Sequence, residues 1–295
     1  MVARILDGKS IAADLRAEVA AAVAEMKAAS GAVPGLAVVL VGDDPASRSY
    51  VTGKEKACAA AGIYSREIAL PATATRAEIL AIVRALNADD AIDGILVQLP
   101  LPDSSIERDV IEAIDPAKDV DGFHPTNVGR MVLGLPSFVP CTPAGVVEIL
   151  RRSGTPLAGA TVVVIGRSQI VGRPLSILLS QKGVDATVTL CHTRTKDLAH
   201  FTREADVVVV AAGRPHTLTG DMVKPGAVVI DVGVNRVPDA SKASGYRLVG
   251  DADFADVAEK AAAITPVPGG VGPMTIAMLL RNVVEAARRR RGAGA

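Results

Sequence analysis

The 295-residue sequence predicts an α/β fold of two units, each built on a mostly parallel sheet. Three observations predict it. Short runs of Val, Ile and Leu alternate with stretches of helical period along most of the chain. A Gly-, Pro-, Asp- and Asn-rich stretch from about Lys118 to Thr142 divides that alternation into two series. The length also suits two domains of ordinary size with ample core. The boundaries read from the sequence are 1–140 and 141–270, followed by a closing helix at 273–290.

Each element follows from local chemistry. Ser10 caps a helix to about Ser30, with Ile11, Leu15, Val19, Val23 and Met26 on one side and Gly31 as its stop. GLAVVLVG is a short apolar strand. Asp44-Pro45 starts a second helix, where the missing proline N–H costs nothing; it carries Tyr50 and Lys54 and stops near Gly62. Residues 63–70 return to strand character. Thr75 and Glu78 make a capping box for a helix bearing Ile79, Val83 and Leu86. IDGILVQLPLP is a buried strand with Gln98 past its carboxyl end, where α/β sheets place ligands. After the irregular stretch, Thr142-Pro143 opens a helix through Leu150. The strands TVVVIG, ATVTLC, ADVVVVAAG and AVVIDVG follow, then the loop TPVPGGVGP and a helix burying Met278, Leu279 and Val283. The terminal RRRRGAGA reads as a frayed, solvated helix end.

Composition excludes several classes of function. Residues are 49% hydrophobic and 22% charged, which argues against bulk disorder. Thirty-two basic residues balance 32 acidic ones, so no net field draws the chain to nucleic acid or an anionic membrane. With 2% aromatics and no Trp, a base-stacking platform has no material. Three scattered cysteines make neither a disulfide framework nor a Cys-rich zinc site, and Cys141 and Cys191 read as inert. Four histidines without an H-E-x-x-H pattern or clustered carboxylates offer a metal no ligand set. Apolar runs break well before 18 residues, and the N-terminus lacks a long apolar segment with a cleavage site. The expectation is a soluble cytoplasmic protein.

TVVVIGRSQIVGRPLS is the nucleotide-binding signal, with Gly166, Arg167, Ser168 and Gly172. Strand, tight turn and helix aim backbone N–H groups at a pyrophosphate, the layout of a Rossmann-like unit. The spacing is G-x-S-x-x-x-G rather than G-x-G-x-x-G, so a purely structural turn is the competing reading. The next strand ends in Cys191, His192, Thr193 and Arg194, without the carboxylate that holds the ribose of NAD. Together with Arg167 these residues favour the 2′-phosphate of NADP. His192 reads as a surface or ribose-facing residue rather than a general base. Tyr50 and Lys54, four apart, share a helix face; taken alone, the pair reads first as a surface lysine whose stem covers a tyrosine.

Further segments weight these readings: SRSYVTGK at 47–54, VQLPLP at 97–102, KDVDGF at 118–123 and PCTP at 140–143. They continue with GRSQIVGRP at 166–174, DVGVN at 231–235 and PVPGGVGPMT at 266–275. In this order, across nearly the whole chain, they resemble the bifunctional methylenetetrahydrofolate dehydrogenase and methenyltetrahydrofolate cyclohydrolase family. The resemblance implies oxidation of 5,10-methylenetetrahydrofolate with NADP+ and hydrolysis of the methenyl cation to 10-formyltetrahydrofolate, at one folate site in the cleft between two domains. It assigns Lys54 as the essential lysine, Tyr50 as its partner, Gln98 as the glutamine beside it and Asp121 as the pterin anchor. It also places Gly270, Val271 and Pro273 at the folate and nicotinamide, and Val234 at the cofactor. The closing helix is expected to return to the first domain, in a homodimer. Departures from the family pattern are small: Ala252 stands where relatives often carry a larger apolar residue, and Thr193 where many have Ser.

The chemistry fits these roles. Hydride loss needs positioning against the nicotinamide and no acid or base. Hydrolysis needs a proton carrier, and Lys54 serves once burial or an adjacent cation loosens its proton. Gln98 holds the amine without adding negative charge, and Tyr50 stacks on the folate or orients water or the lysine. Rival readings are another NADP-linked dehydrogenase, such as one acting on amino acids, an enzyme with one of the two folate activities, and an NADP-sensing regulator.

Overall fold

The structure, a computed structural model, describes residues 2–242 and 245–291. In chain order its elements begin with β1 (Arg4–Ile5), α1 (Gly8–Ser30), β2 (Gly35–Val41), α2 (Pro45–Ala61), β3 (Tyr64–Leu70) and α3 (Arg76–Ala88). Next come β4 (Gly94–Val97), α4 (Glu107–Ala113), α5 (Pro125–Val132), α6 (Cys141–Arg152), β5 (Thr161–Ile165), α7 (Gly172–Ser180) and β6 (Thr187–Cys191). The chain closes with α8 (Leu198–Thr202), β7 (Val207–Val210), β8 (Val228–Asp231), β9 (Asn235–Pro238), β10 (Tyr246–Val249), α9 (Phe254–Lys260), β11 (Ala263–Ile264) and α10 (Val271–Arg291). No helix among the described residues is long and apolar enough to cross a membrane.

Two compact units emerge, each parallel in its main sheet. One comprises Ala13–Cys141 and the chain from Ile276. Its sheet runs β3-β2-β4, and every residue of β2 is buried. Val39 and Val41 of β2 share a core with Ile79 and Val83 of α3, Ile95 of β4 and Val110 of α4. The Lys118–Gly122 segment lies against β4 through a parallel bridge between Ile95 and Asp119. Lys118 is anchored there by donating from Nζ to the carbonyls of Leu86 and Asp89 at 2.9 and 2.8 Å. A cation at the end of α3 meets carbonyls that the helix cannot pair.

The other unit comprises the chain up to Ala12 with Thr142–Thr275. Its six-stranded sheet runs β1-β11-β8-β7-β5-β6, all parallel, with β9 and β10 as a separate antiparallel hairpin. Val163, Ile165, Val208, Val210, Val229 and Ile264 supply much of its core.

Three readings need correction. The division at 1–140 fails at its start, because β1 pairs with β11 and so carries the first residues into the six-stranded sheet. Asp7, not Ser10, serves the start of α1, accepting from the backbone N–H groups of Lys9 and Ser10 at 2.9 and 3.2 Å. Two of the four arginines in the run are anchored rather than simply solvated. Arg290 and Arg291 donate to the buried Asp93 carboxylate at 2.8 and 2.7 Å, and Gly35 N–H reaches it at 3.0 Å. Residues 292–295 of that tail lie outside the described residues. The irregular stretch also holds α5, whose start His124 caps by accepting the Thr126 N–H at Nδ1.

Candidate active site

Lys54 occupies a position that helical geometry normally gives to an apolar residue. Ser47, Val51, Lys54, Cys58 and Ala61 form the buried stripe of α2 at three- and four-residue spacing. The helix is fixed by Asp44, whose Oδ2 accepts the Ser47 N–H at 2.8 Å, and by Gly62 in the left-handed conformation. Burying an ammonium requires a partner. Gln98, directly after β4, supplies it: Lys54 Nζ donates to Gln98 Oε1 at 2.9 Å. The glutamine Nε2 donates to the Leu99 carbonyl at 2.8 Å, which fixes which amide atom faces the lysine. Tyr50 is 51% exposed, against 9% for Lys54. None of the hydrogen bonds of the described residues joins Tyr50 to the Lys54–Gln98 pair.

KDVDGF contains two acids with opposite situations. Asp119 is buried and accepts from Phe123 N, His124 N and Asn127 Nδ2 at 3.2, 2.8 and 2.8 Å. Its carboxylate is occupied in holding the loop. Asp121 is half-buried and receives the Cys141 thiol at 3.9 Å. Burial pushes its carboxyl up to about 6; the Lys54 ammonium opposes that shift and the Asp119 charge adds to it. The Cys141 thiol is itself raised well above its ordinary range by burial, so it serves as a neutral donor. Asn282 of α10 donates to the Val120 carbonyl at 2.8 Å, tying that helix to the residue before Asp121. Lys54, Gln98 and Asp121 thus belong to one unit, and burial and charge link Lys54 to both.

The six-stranded unit holds the nucleotide signal. Gly166 ends β5 at φ +122°, and a Cβ there would lie 2.1 Å from the Ala211 carbonyl oxygen. A Cβ on Gly172 would lie 1.8 Å from the Gly166 carbonyl oxygen. Both positions require glycine. Ser168 Oγ accepts from Val171 N and Gly172 N at 3.1 and 3.4 Å, so the hydroxyl closes the turn from within. Arg167 is exposed on the turn.

After β6, His192 N donates to Thr195 Oγ1 at 2.8 Å, and His192 Nδ1 accepts the Arg194 N–H at 3.1 Å. This leaves Nε2 as the ring's donor. Thr193 and Arg194 are exposed on the same turn, and Val234 is 51% exposed after β8. Gly270 is buried in its loop, where a Cβ would meet the Pro266 oxygen at 2.7 Å; Val271 and Pro273 lie in the first turn of α10. Sequence reasoning passed over Asp119, which holds its own loop, and Asn282, Asp231 and Asp251, which hold backbone that is distant in sequence. Among the described residues no three His, Cys, Asp or Glu side chains gather as a metal-binding group.

Comparison with known proteins gives two matches that divide the chain. Residues 6–121 match the family described as tetrahydrofolate dehydrogenase/cyclohydrolase, catalytic domain, and residues 140–291 match its NAD(P)-binding domain. The Flavobacterium johnsoniae protein named bifunctional protein FolD is 56% identical over 289 residues, covering 97% of this chain and 98% of that protein. The Trypanosoma brucei N5,N10-methylenetetrahydrofolate dehydrogenase-cyclohydrolase, solved with NADP cofactor and inhibitor, is 41% identical with a TM-score of 0.94, over 100% of both chains. The bifunctional enzyme from Campylobacter jejuni is 49% identical with a TM-score of 0.91, over 97% of this chain and 99% of that one.

Proposed function

The chain belongs to the tetrahydrofolate dehydrogenase/cyclohydrolase family, and from that premise we propose that it oxidises 5,10-methylenetetrahydrofolate with NADP+ and hydrolyses the methenyl product to 10-formyltetrahydrofolate. The observation that carries this most is Lys54 Nζ held 2.9 Å from Gln98 Oε1 beyond the carboxyl end of β4.

The residues present fit NADP. Gly166 and Gly172 bring backbone close at the start of α7, whose N-terminus favours phosphate. Arg167, Thr193 and Arg194 give a 2′-phosphate charge and hydroxyl, while Ser168 keeps the turn closed. His192 offers Nε2–H, and Val234 an apolar surface for a ring. When bound, NADP+ supplies the hydride acceptor. Gly270, Val271 and Pro273 are assigned to the folate and nicotinamide by motif alone.

The protein's own chemistry lies in the hydrolysis. Lys54 moves a proton between the attacking water and a folate nitrogen. Gln98 holds its ammonium through a neutral oxygen. Asp121 accepts from the pterin amine and ring N–H. Tyr50, exposed beside Lys54 on α2, provides a ring against which the folate stacks.

Asp121 makes a prediction with a defined sign. Burial pushes its folded carboxyl up to about 6 from the ordinary 3.8, so the folded chain binds more protons than the unfolded chain between those values. Its burial penalty is therefore absent below the unfolded value and complete above about 6. In chemical denaturation, the stability of Asp121→Asn relative to wild type should rise as pH climbs from 3.8 to about 6 and stay level above that, while folate affinity is lost. A variant whose stability difference is flat with pH would contradict the buried carboxylate.

We place the chain in cytoplasmic one-carbon metabolism, as a homodimer supplying formyl groups for purine biosynthesis; support for this is the family resemblance. The activity is tested by its two halves. NADP+ with methylenetetrahydrofolate should yield NADPH, and methenyltetrahydrofolate without NADP+ should lose its absorbance faster than in buffer. Failure of either half removes that activity.

A further inference from the structure

Two buried carboxylates in the six-stranded unit take no part in the chemistry above. Asp251 is fully buried; its Oδ2 accepts from Ala212 N and Gly213 N at 2.6 and 2.8 Å, the turn after β7, and its Oδ1 accepts from Asn235 Nδ2 at 2.8 Å. Asp231, the last residue of β8, accepts from Gly233 N, Asp251 N and Ala252 N at 3.0, 2.9 and 2.9 Å. The approach is so close that glycine is required around it. A Cβ on Gly233 would lie 2.2 Å from Asp251 Cγ, and one on Gly250 would lie 1.8 Å from Asp231 Oδ2. Val234 sits between the two arms: Gly233 is held by Asp231 and Asn235 by Asp251, while Val234 itself points out to solvent.

We infer that Asp231 and Asp251 form a brace that positions the loops after β7 and β8, and with them Val234, for dinucleotide binding. This rests on the nucleotide-binding reading above. Nucleotides bind beyond the carboxyl ends of parallel strands, which is where both braced loops lie. Loops there otherwise owe their shape to weak local contacts, and freezing them after the ligand arrives costs affinity. The brace removes that cost by fixing three backbone N–H groups of those loops beforehand, while two more tie the 251–252 segment to Asp231. Two adjacent buried acids are an expensive way to satisfy backbone; burial and the neighbouring Asp251 charge both raise the Asp231 carboxyl. Each acid is a positioning residue, acting through the loops it holds.

The test is the NADP+ dissociation constant of Asp251→Asn, by isothermal titration calorimetry, beside its melting curve. A control in the same unit is Asp256→Asn, which removes an exposed carboxylate from Gly220 N. Asp251→Asn should bind NADP+ about tenfold more weakly, the loss of one well-made charged hydrogen bond. Its oxidation should fall more than its hydrolysis, while Asp256→Asn keeps wild-type NADP+ affinity. Asn235→Ala, which removes the Nδ2 bonds to Asp251 Oδ1 and the Gly250 carbonyl and so cuts the arm beside Val234, should weaken NADP+ in the same direction and serves if Asp251→Asn does not fold. Wild-type affinity in folded Asp251→Asn or in Asn235→Ala would overturn the inference. So would an equal loss in Asp256→Asn, which would make the effect one of general stability. If the wild type binds NADP+ yet acts on neither folate, the brace stands and the folate reading falls.

Discussion

Lys54→Met is expected to lower methenyltetrahydrofolate hydrolysis by about a hundredfold or more, the usual scale of a lost proton carrier, while NADP+-dependent oxidation continues. Methionine has similar length and no charge, so it fills the buried stripe of α2 among Val51, Cys58 and Ala61 without the cost of an ammonium. Gln98 stays in place through its own bond to Leu99. A second readout separates lost chemistry from lost structure. The Lys54 charge holds the Asp121 titration down, so removing it should move any Asp121-linked inflection above about 6. Retained hydrolysis, corrected for the spontaneous reaction, would remove Lys54 from the mechanism.

Asp93→Ala should destabilise the fold by about 3 kcal/mol or more, the scale for breaking a buried ion pair from one side. Asp93 is fully buried and joins two distant pieces: Gly35 at the start of β2, and Arg290 and Arg291 at the end of α10. Arg290 also donates to the Ile92 carbonyl at 2.7 Å and reaches the exposed Asp90 at 3.4 Å, so the variant leaves it only these two partners and Arg291 without its buried acceptor. If the arginine run were only solvated surface, the change would be ~0.5 kcal/mol or less. Urea denaturation at neutral pH distinguishes the two.

The contrast between these residues shows what a sequence makes legible. Asp44-Pro45, Gly62 and the Thr75–Glu78 box were readable because each acts within four residues of itself. The nucleotide turn was readable because Gly166 and Gly172 answer a local steric demand. β1 was missed because two residues carry no periodicity and their partner, β11, lies at the other end of the chain. Arg290 meets Asp93 across 197 positions, and charge order alone does not disclose such a pairing. α5 was hidden by its cap, since histidine is not among the usual capping residues. Of the site, Lys54 had a visible signal, a charge in an otherwise small and apolar stripe. KDVDGF could not by itself say that Asp119 is spent on the loop while Asp121 keeps capacity for a ligand.

The claim that one chain performs both reactions is tested most directly by a stopped-flow experiment. Purified protein is mixed with 5,10-methylenetetrahydrofolate and NADP+, and NADPH and methenyl absorbance are followed together, with NAD+ as control. The expected result is NADPH formation with little accumulation of methenyltetrahydrofolate. NADPH accompanied by methenyltetrahydrofolate that decays only at its uncatalysed rate would contradict the account.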